Sequence, residues 1–203
     1  MRPMTPNIRK ATALLALALL VGCVSQPAPK KLRYVIGPER PGAAAATGDG
    51  VLRVERVLVS PLYEHKGFVY RTGDSTWASD FYNEFFASPG VLVREATGDW
   101  LAASGLFETV VSTNVAERAD WLLELRVDKL YGDTRGAPRA VVAIEYSLVD
   151  ISSGQPESSF RKRYAVERPA ADSSAAGIVA GWNDALAEIL SSFEADLRAH
   201  LAR

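Results

Sequence analysis

The feature that most constrains the fold is a period-two alternation of apolar and polar residues between positions 121 and 166. In its first segment the apolar residues are Trp121, Leu123, Leu125 and Val127, and in its second they are Val142, Ile144, Tyr146 and Leu148. A turn at 150–154 follows, and Phe160, Tyr164 and Val166 line a third segment. Because such alternation is typical of strands that bury one face, the pattern predicts an antiparallel meander.

Two amphipathic segments predict helices that cover this sheet. The first runs from the N-cap Ser88 and Pro89 to about Ser104, and Gly105 ends it. Its apolar face is formed by Leu92, Ala96, Trp100 and Ala103. The second begins at Ser174, and its apolar residues recur every three or four positions along one stripe. These residues are Ile178, Trp182, Leu186, Ile189, Phe193, Leu197 and Leu201.

The region before the meander has weaker signals. Residues 51–60 and 106–112 predict strands, and residues 68–70 predict a short one. The aromatic-rich segment 80–86 predicts a helical turn, and the Gly- and Pro-rich segment 37–50 predicts a loop. Together these elements predict an α/β fold with a mixed, largely antiparallel sheet flanked by two main helices.

The beginning of the sequence predicts export and lipid attachment. Three basic residues precede the apolar run 11–21, which ends in Leu20-Val21-Gly22-Cys23. A basic start, a short apolar run and small residues are typical of a secretory signal peptide. The run is well short of the roughly 20 residues that a membrane-spanning helix needs. The tetrapeptide resembles the lipobox of bacterial lipoproteins, so we expect residues 1–22 to be a signal peptide and Cys23 to be lipidated.

This start also predicts the domain organisation. Residues 23–33 are interpreted as the lipidated cysteine with a polar tether, and residues 34–203 as a single α/β domain. Residue 24 is Val rather than the Asp that tends to retain lipoproteins at the inner membrane. We therefore expect the chain at the inner leaflet of the outer membrane, facing the periplasm.

Residues that carry enzyme chemistry are sparse. The two histidines are His65, in a predicted loop, and His200, near the last residue, and no HExxH, GxSxG or P-loop motif occurs. The one cysteine is Cys23, and no carboxylates are paired at a spacing that singles them out. We expect no enzyme activity, no cofactor and no metal site. The absence of a basic stripe makes nucleic acid a poor partner.

Aromatic side chains are concentrated in residues 68–86, beside polar and charged ones. One interpretation is a loop that covers the core. The other is an aromatic surface for protein or lipid, because Tyr, Trp and Arg are favoured at interface hot spots. On the second interpretation, Tyr70, Arg71 and Tyr82 are the candidate partner-binding residues.

Three segments in this order resemble one family: FVYRTGD at 68–74, DFYNEFFASPGVL at 80–92 and WLAASGLFETVV at 100–111. They are similar to ABC-type transport auxiliary lipoproteins, which include the PqiC-like lipoproteins encoded beside mammalian-cell-entry (MCE) lipid transporters. The resemblance continues through the strand at 121–130 and the terminal helix. It therefore covers nearly the whole region after Cys23.

The resemblance implies a fold similar to the amino-terminal domain of TolB and a non-catalytic role. It implies as partners an MCE-domain protein and an ABC transporter permease and ATPase, which move phospholipid-like molecules between the inner and outer membranes. It further implies docking at the end of a periplasmic conduit and, for some members, homo-oligomeric rings. It transfers no binding residue to this sequence.

Two functions of different kinds remain open at this stage. The first is an auxiliary docking subunit of an MCE-type transport system. The second is a scaffold or assembly lipoprotein for an outer-membrane protein or envelope complex. The sparse chemistry argues against a third function, an anchored hydrolase. Capture of the partner in intact cells separates the first two.

Overall fold

The computed structural model describes residues 30–42, 48–111 and 119–202, and for Arg56 the backbone alone. The predicted signal peptide, Cys23 and tether residues 24–29 lie outside the described residues. The strands are β1 (Leu32–Tyr34), β2 (Val51–Val59), β3 (Gly67–Arg71), β4 (Trp77–Phe85), β5 (Thr109–Val111), β6 (Trp121–Asp133), β7 (Arg139–Asp150) and β8 (Glu157–Pro169). The helices are α1 (Pro89–Ser104) and α2 (Ala175–Leu201), and a short 3₁₀ helix occupies Pro61–Tyr63.

The long strand β6 organises the sheet. On one side it pairs antiparallel with β7, which pairs antiparallel with β8, and the predicted meander is therefore confirmed. Its other side is shared by two parallel strands, β2 along the first part and β3 at the last two residues. Outside these lie β5, parallel to β2, and then β4 and β1 beyond β3. The predicted mixed sheet is confirmed, and its longest pairings are antiparallel.

Both helices pack on the same face of the sheet. Phe193 of α2 stacks on Tyr146 of β7, with ring centroids 4.0 Å apart and planes 8° apart. Thr97 of α1 lies 3.4 Å from the hydroxyl of the same tyrosine. The predicted stripe of α2 is buried except at its last residue, Leu201, which is half-buried. Within the described residues, neither helix has the length and apolar composition that crossing a membrane requires.

The predicted bounds of α1 are confirmed, but its buried face is wider than the predicted stripe. The helix is followed by Gly105 in the left-handed region at φ 68°, where glycine is favoured. Ala103 is exposed, whereas Val93 and Leu101 are buried and belong to the core. The helix therefore buries residues along most of its length, mainly against the sheet.

The prediction of a helical turn at 80–86 is wrong, because residues 77–85 form β4. This strand pairs antiparallel with β3 and parallel with β1. Aromatic residues favour strands, and pairing on both sides supplies the backbone hydrogen bonds that a single helical turn lacks. The strand β1 begins at Leu32, so the last two residues of the predicted tether belong to the sheet.

A charged cluster joins α2 to α1 and to the segment after β1. The carboxylate of Glu194 accepts hydrogen bonds from Arg40 Nε at 2.8 Å and from Trp100 Nε1 at 2.9 Å. Arg198 Nη2 donates to the same carboxylate at 3.1 Å. The side chains of Arg40 and Glu194 are each only 12 % exposed, so water screens this pair weakly.

We predict that Glu194→Gln lowers the free energy of unfolding by about 1–3 kcal/mol near neutral pH, because it removes the charge that two arginines face. Hydrogen bonds from Arg40, then from Arg198 and Trp100, hold the pKa of Glu194 below its usual value. A depressed folded-state pKa stabilises the fold above the unfolded-state pKa, and this contribution is lost as pH falls through the folded-state pKa. In urea unfolding at a series of pH values, the difference between the two proteins should shrink below about pH 4. A constant difference contradicts the assignment.

The two helix starts provide a matched pair of substitutions. Ser174 Oγ accepts a hydrogen bond from the Gly177 amide at 3.1 Å, whereas Ser88 makes no side-chain capping bond. We expect Ser174→Ala to lower the free energy of unfolding by about 1 kcal/mol. Ser88→Ala should lower it by less than about 0.5 kcal/mol. Urea denaturation of both variants measures the difference, and equal losses would show that the cap geometry does not matter.

Candidate functional site

The aromatic segment forms a bulged hairpin of β3 and β4. Phe68 on β3 lies opposite four residues of β4, 80–83, because the register shifts between Gly67 and Val69. The side chain of Asp80 holds this bulge. Its Oδ1 accepts from the backbone amides of Tyr82 at 2.8 Å and Asn83 at 2.9 Å, and its Oδ2 accepts from Asn83 Nδ2 at 2.8 Å. Residues 81 and 82 are thereby held at the exposed surface.

Tyr70 lies on the helix-covered side of β3. Its ring packs over Gly132, where an added Cβ would be 2.8 Å from the ring, so only glycine leaves room for it. Its hydroxyl is 3.5 Å from Asp80 Oδ2. Burial, together with the charge of Asp80, raises the pKa of this phenol, which keeps it protonated at neutral pH. Tyr70 also lines a groove of about 540 Å³ between β1, β3, β4 and the start of α2.

Arg71 lies on the opposite side of β3, because successive strand residues alternate between faces. Its Nη2 donates to the backbone oxygen of Asp74 at 2.9 Å, and its guanidinium lies 5.7 Å from the ring of Trp77. The same ring contacts Tyr131 edge-on, with centroids 5.0 Å apart. Arg71 and Trp77 therefore form a cation–π pair on a partly exposed aromatic surface.

The ends of two hairpins are tied together beside this pair. Arg135, in the β6–β7 turn, contacts Asp133 at 2.6 Å and Asp74 of the β3–β4 turn at 3.1 Å. Hydrogen bonds from Arg135 lower the pKa of Asp133. The amide of Thr134 donates to the backbone oxygen of Arg71 at 3.0 Å. We call Arg71, Asp74, Trp77, Asp133 and Arg135 the hairpin end.

The three predicted site residues do not form one site. Tyr70 and Tyr82 are linked through Asp80, whereas Arg71 belongs to the hairpin end on the other face. Sequence reasoning missed the roles of Asp80 and Trp77, although both lie within the aromatic segment. The available signal was an Asp followed after two aromatics by Asn, a spacing that favours local side-chain-to-backbone hydrogen bonds.

The hairpin also presents an apolar edge. Besides Trp77, five of the exposed large hydrophobic residues in the described part of the chain lie on or beside the paired strands β1 and β4. We call these residues the outer edge: Leu32 (55 % exposed), Val35 (60 %), Phe81 (70 %), Tyr82 (46 %) and Phe86 (61 %). Single exposed apolar residues are ordinary, but five along one strand pair mark a candidate contact surface.

A larger groove of about 910 Å³ lies elsewhere, between β2 and the start of α1. It is open to solvent, and its lining includes His65 and the charged residues Glu55, Glu64, Glu124 and Arg94. Across the residues that the structure covers, no group of three or more His, Cys, Asp or Glu side chains is placed to hold a metal ion.

Comparisons with known proteins agree with the fold. A family model described as "ABC-type transport auxiliary lipoprotein component" matches residues 34–192. A solved structure from Xanthomonas campestris has a TM-score of 0.69 at 15 % identity, covering 80 % of this chain and 92 % of its own. A hypothetical protein from Chlamydia trachomatis has a TM-score of 0.51 at 12 % identity, covering 76 % and 99 %. At these identities both structures support the fold alone. No curated protein matches the sequence.

We predict that Asp80→Ala destabilises the protein by about 1–3 kcal/mol, because amides that the carboxylate now satisfies lose their acceptor. Asp80→Asn is the matched control, since its amide oxygen can still accept from both backbone amides. Urea denaturation gives the stabilities, and hydrogen exchange of the Tyr82 and Asn83 amides reports on the bulge itself. Slow exchange in the alanine variant would show that Asp80 does not hold the bulge.

Proposed function

The chain belongs to the ABC-type transport auxiliary lipoprotein component family, and we propose that it is a non-catalytic docking subunit of an ABC/MCE-type phospholipid transport system. The family name places it among envelope lipoproteins that assist ABC-type transport. The proposal adds the MCE-domain protein, permease and ATPase as partners. It also places the lipidated Cys23 in the inner leaflet of the outer membrane, with the domain facing the periplasm.

The observation that carries the docking role is the Arg71–Trp77 pair at the hairpin end. Arg and Trp are the residue types that most often dominate binding energy at protein interfaces. Trp77 is 38 % exposed while its ring is fixed against Tyr63 and Tyr131, so a partner would meet a preorganised surface. Preorganised side chains lose little conformational entropy when they bind.

Tyr70 and Tyr82 have different roles in this proposal. Tyr82 is exposed beside Phe81 and is available for direct contact, with ring centroids 5.2 Å apart. Tyr70 is packed over Gly132, so it contributes mainly by positioning Asp80 and by lining the groove. All three candidates, Tyr70, Arg71 and Tyr82, are proposed contact residues, with Arg71 the first to test.

The partner is identified by crosslinking the full lipidated protein in intact cells, followed by capture and mass spectrometry. Recovery of an MCE-domain protein with its permease and ATPase supports the proposal. Recovery of a β-barrel or another envelope factor alone supports instead the scaffold or assembly role. The mass of the captured complex also tests whether several copies of the chain form a ring, as the family resemblance implies.

We predict that Arg71→Ala reduces capture of the transport partner roughly fivefold or more, because hot-spot truncations cost more than about 1 kcal/mol. Arg126→Ala is the matched control, since Arg126 is an exposed sheet arginine that pairs with Asp128, away from the hairpin end. Its capture should stay within about twofold of wild type. Equal capture by both variants, at equal protein levels, would remove the hairpin end from the interface.

A further inference from the structure

The outer edge differs from the hairpin end because its members are exposed hydrophobic side chains. Its members form two groups, one around Leu32 and the other around Val35. Leu32 is opposite Asn83, next to Phe81 and Tyr82, whereas Val35 follows Tyr34, whose backbone oxygen accepts from the Phe86 amide at 2.8 Å. Leu32 and Val35 are three residue steps apart, so in extended backbone the two groups are about 10 Å apart.

Cations surround these apolar side chains. Lys31 Nζ lies 4.7 Å from the centre of the Phe81 ring. Lys31 and Arg33 both contact Glu84, at 3.2 and 3.0 Å, and their hydrogen bonds lower the pKa of that carboxylate. Lys66 Nζ donates to the backbone oxygen of Phe86 at 3.0 Å. Three cations and one carboxylate therefore lie beside these side chains, so the edge carries a local positive charge although the whole chain is nearly neutral.

The position of the edge in the chain indicates what covers it. Leu32 lies nine residues after the predicted lipid attachment site, Cys23. Nine residues span at most about 32 Å when fully extended and typically about half of that. The strand β1 is therefore the part of the sheet that the anchor holds closest to the lipid. An apolar, positively charged edge is complementary to a bilayer interface that contains anionic headgroups.

We propose that the outer edge is a membrane-contact surface, in which Phe81 and Phe86 enter the interfacial layer of the bilayer that carries the anchor. Lys31, Arg33 and Lys66 then lie at the level of the headgroups. The inference rests on lipid attachment at Cys23 and not on the identity of the transport partner. The contact orients the domain, because β1 and β8 are at opposite edges of the sheet. The edge strand β8 then points away from the lipid.

The test uses the full lipidated protein in vesicles of phosphatidylethanolamine and phosphatidylglycerol. Cys23 is the one cysteine and its thiol is acylated in this protein, so Phe81→Cys or Phe86→Cys introduces a single reactive thiol. An environment-sensitive fluorophore is attached there, and lipids with nitroxide-labelled acyl chains act as quenchers. Ala165→Cys on β8 is the control, because it is exposed at the opposite edge of the sheet.

We expect quenching at positions 81 and 86 to exceed that at position 165 at least threefold. Equal quenching at the three positions overturns the proposal, whereas membrane fractionation of the same samples reports separately on the anchor. Loss of quenching together with thiol crosslinks between protomers through position 81 also overturns it and assigns the edge to a second copy.

As a check without the anchor, Cys23→Ala protein should bind these vesicles at least threefold less when Phe81→Ser and Phe86→Ser are added. Unchanged binding contradicts the proposal.

Discussion

The packing of α2 against the sheet is the interaction on which the rest of the structure depends. Phe193 of α2 stacks on Tyr146 in the antiparallel meander. Three turns earlier, Trp182 contacts Phe68 at 4.9 Å and Phe85 at 5.3 Å, which belong to β3 and β4. Because β3 shares only two register pairs with β6, these contacts with Trp182 fix the hairpin to the domain. A single helix thus joins the regular half of the sheet to the half that carries the candidate surfaces.

This arrangement explains how exposed aromatic residues can be held in fixed positions. The buried side of the hairpin contributes Phe68 and Phe85 to the core. The bulge at 80–83 leaves Phe81 and Tyr82 exposed. Asp80 satisfies the backbone amides that the bulge removes from the ladder, so the irregularity is stabilised locally. The exposed side chains therefore stand on a rigid base, which favours their use in binding.

Sequence patterns predicted the regular half of the fold and missed the hairpin. The period-two segments of the meander and the stripe of α2 each repeat over many residues, so their periods are unambiguous. Residues 80–86 are dense in aromatics without a clear period, because the bulge breaks the alternation that a regular strand would show. The separation of the candidate residues onto two faces, with Tyr70 inward and Arg71 outward, depends on strand register. Register within a bulged hairpin is set by tertiary packing.

The two candidate surfaces share the strand β4, and this has a mechanical consequence. Trp77 begins the strand at the hairpin end, and Phe85 ends it at the outer edge, just before Phe86. Both ends are fixed to the same core, since Trp77 packs on Tyr131 and Phe85 packs on Trp182. A membrane contact at the outer edge would therefore set the height and direction of the hairpin end as a rigid body. A tether alone leaves the hairpin end free to rotate. A second contact with the bilayer restricts the orientations in which a partner meets the hairpin end. This restriction raises the effective concentration of the hairpin end at the partner.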